Sequence, residues 1–126
     1  MARILLAEDD NQMRAFLSRG LRRAGHSVDA VGDGEAALMR ATGANYDLLL
    51  ADVVMPGIDG VELAKRVAAR QPGIRVMFIT GFAAVTLNTD SKAVKDARVL
   101  SKPFHLKDLV MEVDRIFQTE DQHGRL

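Results

Sequence analysis

Cysteine is absent from this chain of 126 residues, so disulfide bonds, thiolate metal sites and thiol-based catalysis are excluded. Neither sign of charge is in excess, because 17 lysines and arginines balance 17 aspartates and glutamates. No overall field therefore attracts the chain to nucleic acid or to a membrane surface. No apolar run approaches the roughly 20 residues of a membrane-spanning helix, and the first apolar stretch is too short for a signal peptide. We expect a cytoplasmic protein with no nucleic acid and no membrane as a partner.

Length and composition are typical of one ordinary globular domain. Apolar residues make up 48% of the chain and charged residues 27%, as in soluble domains with a single core. No internal repeat, low-complexity stretch or linker divides the sequence. We therefore expect one domain.

Short apolar runs indicate strands that are buried on both faces. These runs do not alternate with polar residues, as expected in a parallel sheet, and they are residues 4–7, 48–51 and 76–79. Weaker strand candidates are residues 27–31 and 98–100. Apolar residues at helical spacing lie between and after the runs, over residues 13–24, 33–41, 59–71 and 106–117. This alternation predicts an α/β fold with a doubly wound parallel sheet and helices on both faces.

Two segments follow neither pattern. Residues 83–96 are polar and contain β-branched residues, so we expect at most a short or mobile helix there. Residues 119–126 are polar without periodicity, which predicts a solvated tail. The histidines His26, His105 and His123 are scattered along the chain, and we expect them to face solvent.

Charged and hydroxyl side chains follow the predicted strands. They are Glu8 and Asp9 after the first strand, Asp52 after the third, Thr80 after the fourth and Lys102 after the fifth. Ligands of doubly wound sheets bind beyond the carboxyl ends of the strands, so we expect these groups to meet at one edge. Carboxylates confined together repel each other, and Mg²⁺, which prefers oxygen ligands, relieves this repulsion. With a lysine to stabilise developing charge, the set predicts a carboxylate that accepts a phosphoryl group.

Each of these residues also has a purely structural interpretation. Acidic residues after a strand often cap the next helix, and Asp10 is placed to cap a helix that begins at Asn11. An aspartate that closes a strand can form a turn, and a lone lysine is usually a solvated charge. The structural interpretation is weakened because such groups coincide at one predicted edge.

Four segments, in order, carry a resemblance to a known family. They are Leu-Leu-Ala-Glu-Asp-Asp, Ala-Asp-Val-Val-Met-Pro-Gly-Ile-Asp-Gly, Phe-Ile-Thr-Gly and Leu-Ser-Lys-Pro-Phe. Their order and spacing over residues 2–117 resemble CheY-like response-regulator receiver domains. The resemblance implies five parallel strands in the order 2-1-3-4-5, a receiver over residues 1–118 and no output domain. It also implies a phosphoacceptor regulator rather than an enzyme, which promotes only its own phosphorylation and slow dephosphorylation.

The resemblance also implies roles for the carboxylates. Asp52 would accept phosphate from a phosphohistidine on a histidine kinase or a histidine phosphotransfer protein. Asp9 and Asp52 would bind Mg²⁺ directly, together with the backbone carbonyl of Val54, and Glu8 would bind through water. Met55-Pro56-Gly57 and Asp59-Gly60 would turn the chain after the acceptor, with positive φ at glycine.

The remaining roles concern the ends of the last two strands. Thr80 and Lys102 would each bind a phosphoryl oxygen, and the family leads us to expect a cis peptide bond before Pro103.

The sequence departs from the family pattern at two points. Receivers usually carry Tyr or Phe three residues before the lysine, where this chain has Val99. We predict that signalling relies on the loop of Thr80, Gly81 and Phe82 instead of an aromatic switch. Val54 and Phe82 occupy the two positions that flank the path of hydrolytic water, and neither can orient a water molecule. We therefore predict slow loss of phosphate.

Three longer segments resemble a narrower group, the CpdR-type single-domain receivers of alphaproteobacteria. They are Ala-Glu-Asp-Asp-Asn-Gln-Met-Arg, Phe-Ile-Thr-Gly-Phe-Ala-Ala-Val and Val-Leu-Ser-Lys-Pro-Phe-His-Leu-Lys-Asp-Leu-Val. This resemblance implies phosphorylation through a cell-cycle phosphorelay and control of substrate delivery to the ClpXP protease, with the unphosphorylated form active. A phosphate shuttle or sink in a phosphorelay is the alternative.

Enzymes with a related strand order are less consistent with these residues. A flavodoxin-like protein would bind the FMN phosphate after the first strand, where this chain places three carboxylates that repel it. A phosphatase of the haloacid-dehalogenase type needs a second aspartate two residues after the nucleophile, and Val54 occupies that position.

Overall fold

The computed structural model describes residues 1–81 and 91–124, with side chains up to residue 118. Strands and helices follow one another along the chain in the order β1 (Arg3–Ala7), α1 (Asn11–Arg23), β2 (Ser27–Val31), α2 (Gly34–Gly43), β3 (Leu48–Asp52), α3 (Gly60–Arg70), β4 (Arg75–Thr80), α4 (Lys92–Lys95), β5 (Arg98–Ser101) and α5 (Leu106–Gly124). The strands form one sheet in the order β2-β1-β3-β4-β5, and every neighbouring pair is parallel. The predicted fold class and strand order are confirmed.

The sheet is buried on both faces because most residues of its central strands are apolar, and in β3 four apolar residues precede Asp52. All five residues of β3 are buried, which explains why the sequence of this strand does not alternate. One face packs against α2, α3 and α4 through residues such as Leu49, Leu63 and Val94. The other face packs against α1 and α5 through residues such as Leu50, Leu17 and Val113. Each fully buried leucine contributes about 1.5–3 kcal/mol of transfer free energy.

Three helices begin directly after an aspartate that caps them, and at Asp10 this cap was predicted. The capping carboxylates accept hydrogen bonds from backbone N–H groups three residues on, Asp10 from Met13 at 2.9 Å, Asp33 from Ala36 at 2.8 Å and Asp59 from Glu62 at 2.8 Å. Gly25 ends α1 with a φ of 100°, a conformation that favours glycine. These caps fix where each helix starts relative to the strand before it.

The structure differs from the expectation for the C-terminal tail, and it describes only part of the segment 83–96. Helix α5 continues to Gly124 and so includes most of the predicted tail at residues 119–126, because no proline and no earlier glycine follows Phe117. Within the segment 83–96, the described part contains the four-residue helix α4. Residues 82–90, including Phe82, lie outside the described residues.

His26 is buried, contrary to the expectation that the histidines face solvent. Its Nδ1 accepts the backbone N–H of Ala2 at 3.0 Å, and its Nε2 lies 3.5 Å from Asp114 Oδ1. The hydrogen bond to Nδ1 offsets part of the cost of burying the imidazole, whereas Nε2 is buried without a hydrogen-bond partner. His105 is exposed as expected, and the side chain of His123 lies outside the described residues.

Candidate functional site

The predicted site residues converge at the carboxyl edge of the sheet. Glu8 directly follows β1, Asp52 ends β3, Thr80 ends β4, and Lys102 directly follows β5. Glu8, Asp52 and Thr80 are only 1%, 7% and 1% exposed. These polar groups are buried where the parallel strands end, which is the position at which ligands bind in this fold class.

Both oxygens of the Asp52 carboxylate are held by hydrogen bonds. Lys102 Nζ donates to Oδ2 at 2.9 Å, and the backbone N–H of Val54 donates to Oδ1 at 3.2 Å. The ammonium group and the carboxylate come from strands that lie two apart in the sheet, so the fold itself brings them together. The carboxylate therefore has a fixed orientation before any ligand binds.

Glu8 lies beside this pair and is only partly satisfied. Its Oε2 accepts the backbone N–H of Asp10 at 3.1 Å, whereas its Oε1 is buried without a hydrogen-bond partner and lies 3.6 Å from Lys102 Nζ. The pKa of the Glu8 carboxyl is raised from 4.5 to about 7, chiefly by burial and also by the charge of Asp52, against the opposing effects of the Asp10 hydrogen bond and the Lys102 charge. A ligand that attracts the ionised carboxylate would satisfy this oxygen.

Lys102 is tied to the site through its side chain and its backbone. Burial lowers the pKa of its ammonium group, but the hydrogen bond and charge of Asp52 and the charge of Glu8 outweigh burial and raise the pKa above 10.5. Its backbone N–H donates to the Thr80 carbonyl at 2.7 Å. The peptide bond between Lys102 and Pro103 is cis, as predicted. The lysine is thus a fixed positive charge at this edge.

Three carboxylates form a group that fits a hard cation. Glu8, Asp9 and Asp52 each place one oxygen within 4.8 Å of the other two, and Asp9 is exposed at the mouth of the site. All the possible ligand atoms are carboxylate oxygens, and one of them, Glu8 Oε1, is buried without a hydrogen bond. This matches the preference of Mg²⁺ for binding through a few carboxylates while it retains several waters.

Gly60 contributes to the site in a way that the sequence interpretation missed. Positive φ is found at Gly57 (76°), as predicted, but not at Gly60. A Cβ at Gly60 would instead lie 2.1 Å from the backbone oxygen of Asp52, and the Gly60 N–H donates to the Val53 carbonyl at 2.9 Å. Gly60 therefore allows the start of α3 to approach the end of β3. Sequence offers only the Asp-Gly pair as a signal for this contact.

Where the structure describes them, the positions that depart from the family pattern carry exposed side chains. The Val54 side chain is 56% exposed, and Val99 on β5 is 44% exposed. Gly81 is exposed directly after Thr80. An exposed valine on β5 leaves no aromatic ring to move between a buried and an exposed position.

Comparison with known proteins decides which family this site belongs to. The model of the response regulator receiver domain matches residues 4–114. The chain belongs to the response-regulator receiver family. This receiver is 54% identical over 116 residues to the response regulator receiver protein CpdR of Brucella abortus, covering 92% of the present chain and 97% of that protein.

Two further likenesses extend the comparison. The receiver is 32% identical over 122 residues to the sensor kinase CckA of Brucella abortus, covering 95% of this chain but 13% of the kinase. The response regulator TrrA of Thermotoga maritima, solved in complex with Mg²⁺ and BeF, superimposes with a TM-score of 0.80 at 29% identity, covering 91% of this chain and 98% of that one.

Within the described residues, no helix is both long and apolar enough to cross a membrane.

Proposed function

We propose that Asp52 accepts a phosphoryl group from a phosphohistidine of a histidine kinase or a histidine phosphotransfer protein. The observation that carries this proposal is the buried Asp52 carboxylate, held by Lys102 at 2.9 Å and grouped with two further carboxylates. A carboxylate that is already oriented spends less entropy in reaching an attacking geometry.

The transfer is a displacement at phosphorus. One oxygen of Asp52 forms a bond to phosphorus, the bond from phosphorus to the donor imidazole nitrogen breaks, and the electron pair remains on that nitrogen. The Lys102 ammonium group and the Thr80 hydroxyl each bind an oxygen of the transferred group. Both residues lie at strand ends beside Asp52, so they require little rearrangement to do so.

Glu8, Asp9, Asp52 and the Val54 carbonyl would hold Mg²⁺. The ion, when bound, neutralises the negative charge that gathers when a phosphoryl group meets several carboxylates. The unpartnered Glu8 Oε1 supports this assignment, as does the likeness to TrrA, which was solved with Mg²⁺ and BeF.

The phosphorylation state would control binding to other proteins rather than a reaction on a small molecule. The likeness to CpdR over nearly the whole length of that protein supports control of ClpXP-dependent proteolysis in the cell cycle. The likeness to CckA supports a phosphorelay that includes a histidine kinase. In this scheme the protein acts in the cytoplasm, and its unphosphorylated form is the active adaptor.

Labelling with a small-molecule phosphodonor tests the acceptor. With Mg²⁺ present, the parent should gain one phosphoryl group by intact mass, whereas Asp52→Asn should gain none. Asp96→Asn is the matched control, because Asp96 is exposed at the opposite end of the sheet. Labelling of Asp52→Asn at the rate of the parent would refute the proposal.

Binding to purified ClpX tests the output. Asp52→Ala and unphosphorylated parent should bind, and the phosphorylated parent should not. If none of the three binds, and phosphate instead passes on to a purified histidine phosphotransfer protein, the chain is a shuttle and the adaptor assignment fails.

A further inference from the structure

Glu8, whose carboxylate is buried, is held by three hydrogen bonds, two at its backbone and one at its carboxylate. Its backbone N–H donates to the Val31 carbonyl at 3.1 Å, and its Oε2 accepts the backbone N–H of Asp10 at 3.1 Å. The third point is the Glu8 backbone carbonyl, which accepts a hydrogen bond from Arg14 Nη1 at 2.9 Å. Together the three bonds restrain the Glu8 backbone and Oε2, and so limit where Oε1, which has no hydrogen bond, can lie.

Arg14 makes this third contact through its planar guanidinium group, which is itself anchored by a second hydrogen bond. Its Nη2 donates to Asn11 Oδ1 at 2.6 Å, so both terminal nitrogens of the guanidinium group are bonded. A planar fork with two bonds holds its partners in a defined geometry, whereas the single ammonium of lysine does not. The guanidinium thus joins the end of β1 to the first turn of α1.

Gly32 leaves the space that this guanidinium occupies. A Cβ at Gly32 would lie 3.2 Å from Arg14 Nη1, although the backbone of Gly32 is not in the left-handed region. The glycine is therefore explained by the side chain packed against it rather than by its own φ. Arg14 lies in a slot between the ends of β1 and β2.

We propose that Arg14 is a positioning residue of the acidic pocket formed by Glu8, Asp9 and Asp52. Arg14 fixes the Glu8 carbonyl and thereby holds the carboxylates of Glu8 and Asp9 in the arrangement that binds Mg²⁺. This inference rests on the proposed function. Arg14 acts through the backbone of Glu8 and not by contact with the ion.

Positioning and simple electrostatics predict opposite effects of removing Arg14. A positive charge near a cation site repels the cation, so loss of that charge alone would strengthen Mg²⁺ binding. Loss of the anchor would weaken Mg²⁺ binding, because partners that orient metal ligands typically contribute about tenfold or more to metal affinity.

Calorimetric titration of the metal-free protein with Mg²⁺ shows whether removal of Arg14 weakens or strengthens Mg²⁺ binding. We expect Arg14→Met and Arg14→Lys each to weaken binding by about tenfold, with lysine failing to rescue although it keeps the charge. Arg19→Met is the matched control, since Arg19 is exposed on the same helix and its replacement removes the same charge; its Mg²⁺ affinity should equal that of the parent. Parent-like or tighter binding by Arg14→Met, or parent-like binding by Arg14→Lys, would overturn the inference.

Amide exchange in metal-free protein separates this inference from the proposed function. If Arg14 anchors the segment, the Asp10 N–H, which donates to Glu8 Oε2, should exchange about tenfold faster in Arg14→Met, while amides in β3 stay unchanged. Unchanged exchange at Asp10 would overturn the anchoring. If the parent itself binds no Mg²⁺, the proposed function fails, and the exchange result still decides whether Arg14 orders this segment.

Discussion

The Glu8 carboxyl is a single side chain in which burial opposes ionisation. It is 1% exposed, and burial raises its pKa from 4.5 to about 7. A raised pKa means that the folded chain binds this proton more tightly than the unfolded chain does. The resulting contribution to stability is fully present below pH 4.5, and it is lost as the pH rises through about 7.

We expect Glu8→Gln to remove this pH dependence, since an amide does not titrate. Between pH 4.5 and about 7, the free energy of unfolding of the metal-free parent should fall relative to the variant by up to about 3 kcal/mol. Urea denaturation at several pH values measures the difference. Added Mg²⁺ should stabilise the parent more above pH 7 than below it, because carboxylate ligands bind in their ionised form. Parallel pH profiles for the two metal-free proteins would contradict this account.

The Val54 side chain bears on how long phosphate stays on Asp52. It is 56% exposed and apolar, so it cannot orient a water molecule for attack on an aspartyl phosphate. We predict that Val54→Asn loses phosphate about tenfold faster than the parent, while the backbone carbonyl at this position is kept. Loss of label from purified protein with Mg²⁺ gives both rates, and Val99→Asn, a similarly exposed valine on β5, is the control. A parent that loses its phosphate within seconds would rule out slow hydrolysis.

At the scale of elements, the contact between α3 and β3 supports the acceptor. Gly60→Ala would place a Cβ 2.1 Å from the backbone oxygen of Asp52, and backbone atoms cannot move aside as a flexible side chain can. We expect a loss of about 2 kcal/mol in stability and slower phosphorylation, because the end of β3 must shift.

Gly43→Ala controls for the loss of a glycine. A Cβ at Gly43 meets no atom within 4 Å, and Gly43 lies at the end of α2 without a positive φ. Stability should therefore stay the same or rise by about 0.5–1 kcal/mol. If denaturation shows that Gly60→Ala is as stable as Gly43→Ala, the close approach is not a constraint.

The strands were predictable from sequence, most clearly where every residue of a run is buried. Each of the five strands was predicted to within one residue at either end. Strands β1, β3 and β4 gave the clearest patterns, because their apolar runs lie in a sheet that is covered on both faces, whereas β2 and β5 are partly exposed and gave weaker patterns. The cap at Asp10 was predictable because the capping bond is local. The contacts of Gly60 and the burial of His26 were not, since each depends on a neighbour that only the tertiary fold brings close.

At the scale of the whole molecule, the sheet connects the site at the carboxyl ends of its strands to β5, the outermost strand on one side. Thr80 ends β4 and its carbonyl accepts the backbone N–H of Lys102 at 2.7 Å, so a shift at Thr80 is passed directly to the end of β5. Strand β5 is the edge strand, and three of its four residues are exposed. An edge strand with few buried contacts is the element that can change most readily when the site is filled.

Thr80→Ala should therefore separate accepting phosphate from reporting it. The variant keeps Asp52 and Lys102 and should still be labelled, but phosphorylation should no longer change amide exchange in β5, because the missing hydroxyl cannot draw the end of β4 toward the phosphoryl group. Thr80→Ser is the matched control, since it keeps the hydroxyl and should respond as the parent does. Exchange measured before and after labelling, residue by residue over Arg98–Ser101, gives the comparison. A full response in Thr80→Ala would mean that the signal leaves the pocket by another path, of which the Lys102 ammonium is the first to examine, because it already contacts both Asp52 and Glu8.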